Sequence, residues 1–187
     1  MRGLACVPLA ALTSFAIIAL GNGASAHGMP KQKASLRIED DKGYLVVAVP
    51  VSALADIGDA DGDLTLSPEE IEESGEAIKA AFTERFSVSS ENGAAPIGFM
   101  ILSSPLESES ADHTHAADAI VVMAGVKFVG SPTVIRIRTD LFGTAPGENS
   151  IHLRLTEGDD VQFATLSPET PEVTFDVMAK GDRDLDL

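Results

Sequence analysis

Six oxygen-bearing residues, Asp59, Asp61, Asp63, Thr65, Ser67 and Glu70, occupy positions 1, 3, 5, 7, 9 and 12 of one twelve-residue stretch, 59–70. Calcium is a hard cation that takes about six to eight oxygen ligands at roughly 2.3–2.6 Å. A tight loop presenting alternate residues inward can surround it. Asp59, Asp61 and Asp63 would each give a carboxylate oxygen, Thr65 its backbone carbonyl, Ser67 a direct or water-mediated contact, and Glu70 two oxygens. A calcium ion is therefore the expected cofactor, in a structural or modestly regulatory role. The competing account is a metal-free acidic turn leading into a helix. Against it, three aspartates at alternate positions repel one another unless a cation neutralises them.

Such a loop needs rigid elements at its ends. Ser67 as N-cap, Pro68 at the first helical position and Glu70 closing a capping box predict a helix over about 68–85. Ile71, Ile78 and Phe82 recur on one face of it, while Glu69, Glu70, Glu72 and Glu73 crowd the positive end of its dipole. Leu66 is expected to pack inward and Ile71 to anchor the helix. On the incoming side, Val51 to Ile57 can form only a short turn of helix.

The loop and exiting helix resemble the EF-hand family, six ligand positions and two apolar positions agreeing. The resemblance implies a single calcium site and, for a solitary loop, an affinity near that of extracellular modules, about 0.1–1 mM. One position departs from the pattern. Leu64 stands at loop position 6, where the family has glycine, and a left-handed conformation there costs a leucine about 1–2 kcal/mol. Weakened binding is the expected consequence.

Most of the remaining chain alternates apolar and polar residues with the period of a strand. Ile135 and Ile137 alternate with Arg136 and Arg138; Ile151, Leu153 and Leu155 with His152 and Arg154; Val173, Phe175 and Val177 with Thr174 and Asp176. Further strands are expected at 36–38, 45–49, 86–88, 97–102, 119–129 and 161–163. The runs 45–49 and 119–129 are apolar on both faces, as central strands are. Turn residues separate these runs, at Glu91-Asn92-Gly93, Gly130-Ser131-Pro132, Pro146-Gly147-Glu148-Asn149 and Glu157-Gly158-Asp159. The expected fold is mainly β, an antiparallel β-sandwich-like domain with one inserted EF-hand-type loop and helix. Ser103 to Ala117 reads as a mobile polar loop. Thr65-Leu66-Ser67-Pro68-Glu69 recurs as Thr165-Leu166-Ser167-Pro168-Glu169, but no aspartate ladder precedes the second copy, which reads as a capping turn and not a second calcium site.

The N-terminal residues read as an export signal: Arg2 is positive, Leu9 to Leu20 is apolar apart from Thr13 and Ser14, and Ala24-Ser25-Ala26 suits signal peptidase. An apolar run this short does not span a bilayer, which needs about 20 helical residues. Cleavage after Ala26 removes 26 of 187 residues and leaves one domain of 161, with a periplasmic or secreted location. It also removes Cys6, so disulfides are excluded. Of the 13 lysines and arginines only Arg2 is lost, leaving 12 against 29 acidic residues and a formal charge of −17. That charge disfavours nucleic acid and anionic lipid and favours divalent cations. No membrane insertion is expected after cleavage, and no protein partner is indicated.

A second metal site is conceivable at the new N-terminus, where His27 would offer an imidazole and an amine, with His113 and His115 completing a copper, nickel or zinc site. His152 sits on a polar strand face and is expected to be exposed. No nucleophile elbow, paired helical histidines or phosphate-cradling glycine loop is present, so the chain is not expected to be an enzyme. His27-Gly28-Met29-Pro30, Pro50 with Leu54, the acidic loop, Leu141-Phe142 and Leu166-Ser167-Pro168 together resemble the extracytoplasmic domain of hydrogenase and urease accessory nickel transporters. That resemblance implies a freestanding version of the domain and a periplasmic transition-metal binding or delivery role.

Overall fold

A computed structural model describes residues 32–104 and 117–177. The expected export signal and its cleavage point, Cys6, His27, His113 and His115 all lie outside the described residues. Among the described residues, no helix is long and apolar enough to cross a membrane.

Among the described residues, ten strands form two sheets. The larger contains β1 (Lys33–Glu39), β2 (Lys42–Pro50), β5 (Ile97–Ser103), β6 (Ala119–Lys127), β8 (Ile151–Glu157) and β9 (Asp160–Leu166), in the spatial order β5-β6-β2-β1-β8-β9. The smaller contains β3 (Phe86–Ser90), β4 (Gly93–Ala95), β7 (Val134–Thr139) and β10 (Glu172–Asp176), in the order β10-β7-β3-β4. The fold is mainly β and sandwich-like. Because side chains alternate along a strand, each sheet turns one set of residues inward. Leu36, Leu45, Val47, Leu153 and Leu155 of the larger sheet join Val88, Ile135, Ile137 and Phe175 of the smaller in one buried cluster. The two doubly apolar runs, β2 and β6, are adjacent and interior in the larger sheet.

One pairing departs from the antiparallel expectation: β1 runs parallel to β8, Leu36 opposite Leu155. The chain reaches β8 only after passing through β7 of the other sheet, and the direction of its return is set by that crossover, not by any local turn. β4 is a further strand that the turn residues at 91–93 conceal, since the hairpin turns on Glu91 and Asn92 and pairs Ser90 with Gly93.

The helical insertion lies between β2 and β3. A 3-10 turn at Val51–Ala53 and the one-turn helix α1 (Ala55–Gly58) precede the acidic loop, and α2 (Pro68–Arg85) follows it. The short incoming arm and the helix bounds agree with the sequence reading. Ile78 and Phe82 are the buried residues of α2 and Ile71 packs partly against the core. The helix passes directly into β3, whose Phe86 N–H caps the Phe82 carbonyl. Phe82 and Phe86 stack with ring centroids 5.0 Å apart and planes 9° from parallel. The loop is therefore held by a helix whose far end is a core strand.

Candidate metal site

The loop is fastened at three points. At its start, Gly58 lies so close to the core that a β-carbon there would sit 3.1 Å from Leu66 Cδ2 and 3.2 Å from Ile78 Cδ1. Any larger residue there would push the Leu66 and Ile78 side chains aside by a few tenths of an ångström. At loop position 8, Leu66 is buried, and its backbone forms a two-bond antiparallel bridge with Ala117: Leu66 N–H donates to Ala117 O at 2.8 Å and Ala117 N–H to Leu66 O at 2.9 Å. The next residue, Asp118, accepts from Val51 N–H at 3.1 Å, so one short strap holds both arms of the insertion. At the loop's end, Ser67 caps α2 in the capping box that the sequence predicts.

Between these points the chain turns tightly, and the aspartates shape the turn themselves. Asp59 Oδ1 accepts from Gly62 N–H (2.8 Å) and Asp63 N–H (3.1 Å), while its Oδ2 accepts from Leu64 N–H (2.9 Å). Asp61 Oδ1 accepts from Asp63 N–H, and Asp63 Oδ1 from Thr65 N–H and Oγ1, both at 2.7 Å. Gly62 and Leu64 take positive φ values of 77° and 62°. Leu64 thus adopts the left-handed turn for which glycine is usual, and its side chain is exposed, contributing little packing in return.

Carboxylate oxygens of Asp59, Asp61 and Asp63 all lie within 4.8 Å of one another. Asp59 is half-buried and the other two are exposed. Among the described residues, no lysine or arginine forms an ion pair with them. Three like charges at this separation repel. The donor set, all hard oxygen, fits calcium or another hard divalent cation.

Glu70 reaches across the loop mouth. Its Oε1 accepts from Ala60 N–H at 3.0 Å, and its Oε2 from Ser67 N–H and Oγ, both at 2.9 Å. The Ser67 and Ala60 amides and the Ser67 hydroxyl hold its carboxyl below the usual glutamate value. Thr65 and Ser67 are half-buried beside it. The structure thus brings together carboxylate oxygens of the three aspartates, while Glu70 lies outside that group and hydrogen-bonds the loop start through Ala60 and the helix cap through Ser67. Ala117 was not legible from spacing. It lies at the end of the polar stretch 103–117, where no pattern signals a bridge.

The repeated motif behaves differently at its second copy. Ser167 Oγ accepts from Thr170 N–H at 3.3 Å in a turn, and β10 begins at Glu172 with no helix between. His152 is exposed, as expected, and its Nδ1 lies 3.2 Å from Thr165 Oγ1. No known protein family matches this chain, and no curated protein matches it.

A pH effect follows from a second carboxylate outside the loop. Glu91 accepts from Thr133 N–H (2.9 Å), Thr133 Oγ1 (3.0 Å) and Val134 N–H (3.1 Å), tying the β3–β4 turn to the start of β7. The Thr133 amide is the main reason its carboxyl lies below the usual value of 4.5. A carboxyl depressed by folding stabilises fully above its unfolded value and loses that contribution as pH falls through the folded one. Melting temperature should therefore fall more steeply below pH 4.5 in the native chain than in Glu91→Gln. Equal slopes in a melting series would contradict this assignment.

Proposed function

We propose that this protein binds one calcium ion through the loop 59–70, in an exported domain whose helical insertion the ion braces against the sandwich. The observation that carries this reading is the convergence of the Asp59, Asp61 and Asp63 carboxylates within 4.8 Å. Asp59, Asp61, Asp63 and Glu70 would supply carboxylate oxygens, Thr65 its carbonyl, and Ser67 a hydroxyl or a water-mediated contact. The bound cation would supply charge neutralisation and no redox or acid–base chemistry. The role is binding, not catalysis. Because the aspartates already hydrogen-bond the loop amides, binding needs rearrangement of side chains more than of backbone.

Coupling to stability follows by mass action, since a ligand that binds only the folded state raises its stability as occupancy grows. With a dissociation constant of about 0.1–1 mM, about 10 mM calcium should add roughly 1.4–2.7 kcal/mol. For a chain of this size that is a rise in melting temperature of about 3–10 °C. Melting of the chain from His27 onward, with calcium, magnesium, copper, nickel and zinc added separately, tests it. A response to calcium above the others is expected. A response to copper or nickel alone, lost in His27→Ala, would replace calcium with the transition-metal reading.

Leu64→Gly addresses the loop's one departure from a relaxed turn. The left-handed backbone that position 64 already adopts costs leucine about 1–2 kcal/mol and glycine almost nothing, so Leu64→Gly should raise the melting temperature by a few degrees both with and without calcium. An unchanged or lower melting temperature would mean that the left-handed turn at Leu64 stores no strain.

A further inference from the structure

The outer face of the larger sheet carries a cleft that shares no residue with the acidic loop. Across β1, β8 and β9 lies an open cleft of about 590 Å3 whose side chains include Lys33, Ser35, His152, Arg154, Phe163 and Thr165. Strand register places them as neighbours: Lys33 opposite His152, Ser35 opposite Arg154, and on the other side His152 opposite Thr165 and Arg154 opposite Phe163. No acidic residue lines the cleft, in a chain with 29 acidic residues against 13 basic ones.

Two features of these residues bear on what the cleft can bind. Arg37, Lys79, Arg85, Lys127 and Arg136 each pair with a carboxylate, whereas Lys33 and Arg154, like Lys42 and Arg138 elsewhere, have no such partner among the described residues. Phe163 is 75% exposed, the most exposed of the large apolar side chains described. Exposed aromatics and arginines, here Phe163 and Arg154, are enriched where one protein docks another.

We propose that this face docks an extended acidic segment of a partner polypeptide, carrying carboxylates on two alternate residues followed by an apolar residue on the same side. Lys33 and Arg154 are one strand and two residues apart, a diagonal of about 7–8 Å between backbones. Alternate residues of an extended segment are spaced by about 6.6 Å, so one carboxylate meets each cation. Arg154 engages its carboxylate through a forked pair of donors, and the apolar residue covers the ring of Phe163. The cleft is open and crosses three strands, which suits an extended segment better than an enclosed small molecule. Nucleic acid and anionic membranes present charge over a much wider area, where the acidic remainder of the chain repels them.

The test is fluorescence anisotropy of a labelled peptide, Gly-Asp-Ser-Asp-Ser-Leu-Gly, with the chain from His27 to Leu187. Binding is expected to weaken about tenfold when asparagine replaces both aspartates of the peptide, and by a similar factor in Arg154→Gln. Phe163→Ser should weaken it several-fold, while Arg136→Gln on the other sheet leaves it unchanged. Every substituted side chain is exposed, so the variants should keep the native melting temperature. No binding at about 1 mM peptide, or equal binding of the asparagine peptide, overturns the proposal. Cosedimentation with anionic-lipid vesicles that is lost in Arg154→Gln overturns it in favour of a membrane. A large gain in peptide affinity on changing Asp182, Asp184 and Asp186 together to asparagine overturns it in favour of the chain's own C-terminal segment.

Discussion

Phe82→Ala is expected to lower the unfolding free energy by about 3–5 kcal/mol, a large part of the stability of a single domain. Phe82 is 1% exposed, stacks on Phe86, and is one of two fully buried side chains that fix α2 to the sandwich. Truncation removes the ring's burial and leaves a cavity that the surrounding sheets cannot fill, because both are held by strand pairing. Denaturant unfolding followed by circular dichroism measures the loss. The effect extends to the loop, since Glu70 and Ser67 stand on the first turn of the same helix. Calcium affinity should weaken in Phe82→Ala even though residue 82 lies three turns away. Full stability in the variant would mean that the helix is held by its strand junction alone.

Asp59→Ala should abolish the calcium response, lowering affinity by at least about tenfold, the cost of removing one charged ligand from the site. Asp59 has a second task that separates two effects. Its carboxylate accepts from the amides of Gly62, Asp63 and Leu64, so alanine also loosens the turn before any ion binds. Asp59→Asn keeps an acceptor for the turn but loses the charge. The asparagine variant should therefore retain more of the metal-free melting temperature than the alanine variant while losing calcium affinity to a similar degree. Isothermal titration calorimetry and melting of both variants distinguish the tasks. Undiminished calcium affinity in both would remove the aspartate cluster from the function.

Much of the fold is legible because its signals are local. Ser67, Pro68 and Glu70 interact within one turn, and so place the start of α2 at Pro68 without reference to the rest of the chain. The alternation at 135–138, 151–155 and 173–177 likewise marks β7, β8 and β10, since a strand that buries one face must alternate wherever it is placed. The left-handed residue at loop position 6 is what the EF-hand resemblance implies, and Leu64 takes that conformation with a φ of 62°. The candidate ligands could be listed from spacing for the same reason: five of the six fall within nine consecutive residues.

What spacing conceals lies in contacts between distant segments. Leu66 is bridged by Ala117, 51 positions later, and an alanine at the end of a polar stretch carries no signal of that role. The cleft on the outer sheet face joins residues of β1 with residues of β8 and β9, and each of them alone reads as an ordinary solvent-facing side chain.

The sequence by itself determined the element types, the capped helix, the acidic loop and the alternating faces, because these depend on interactions within a few residues whose geometry is fixed by backbone sterics. Only the tertiary structure decided that β1 and β8 run parallel, that Ala117 straps the loop, that Glu70 closes it through Ala60, and that Lys33, Arg154 and Phe163 share a surface. Those arrangements follow from how two sheets bury a common set of apolar side chains. That packing is a property of the whole chain, and no short window of residues contains it.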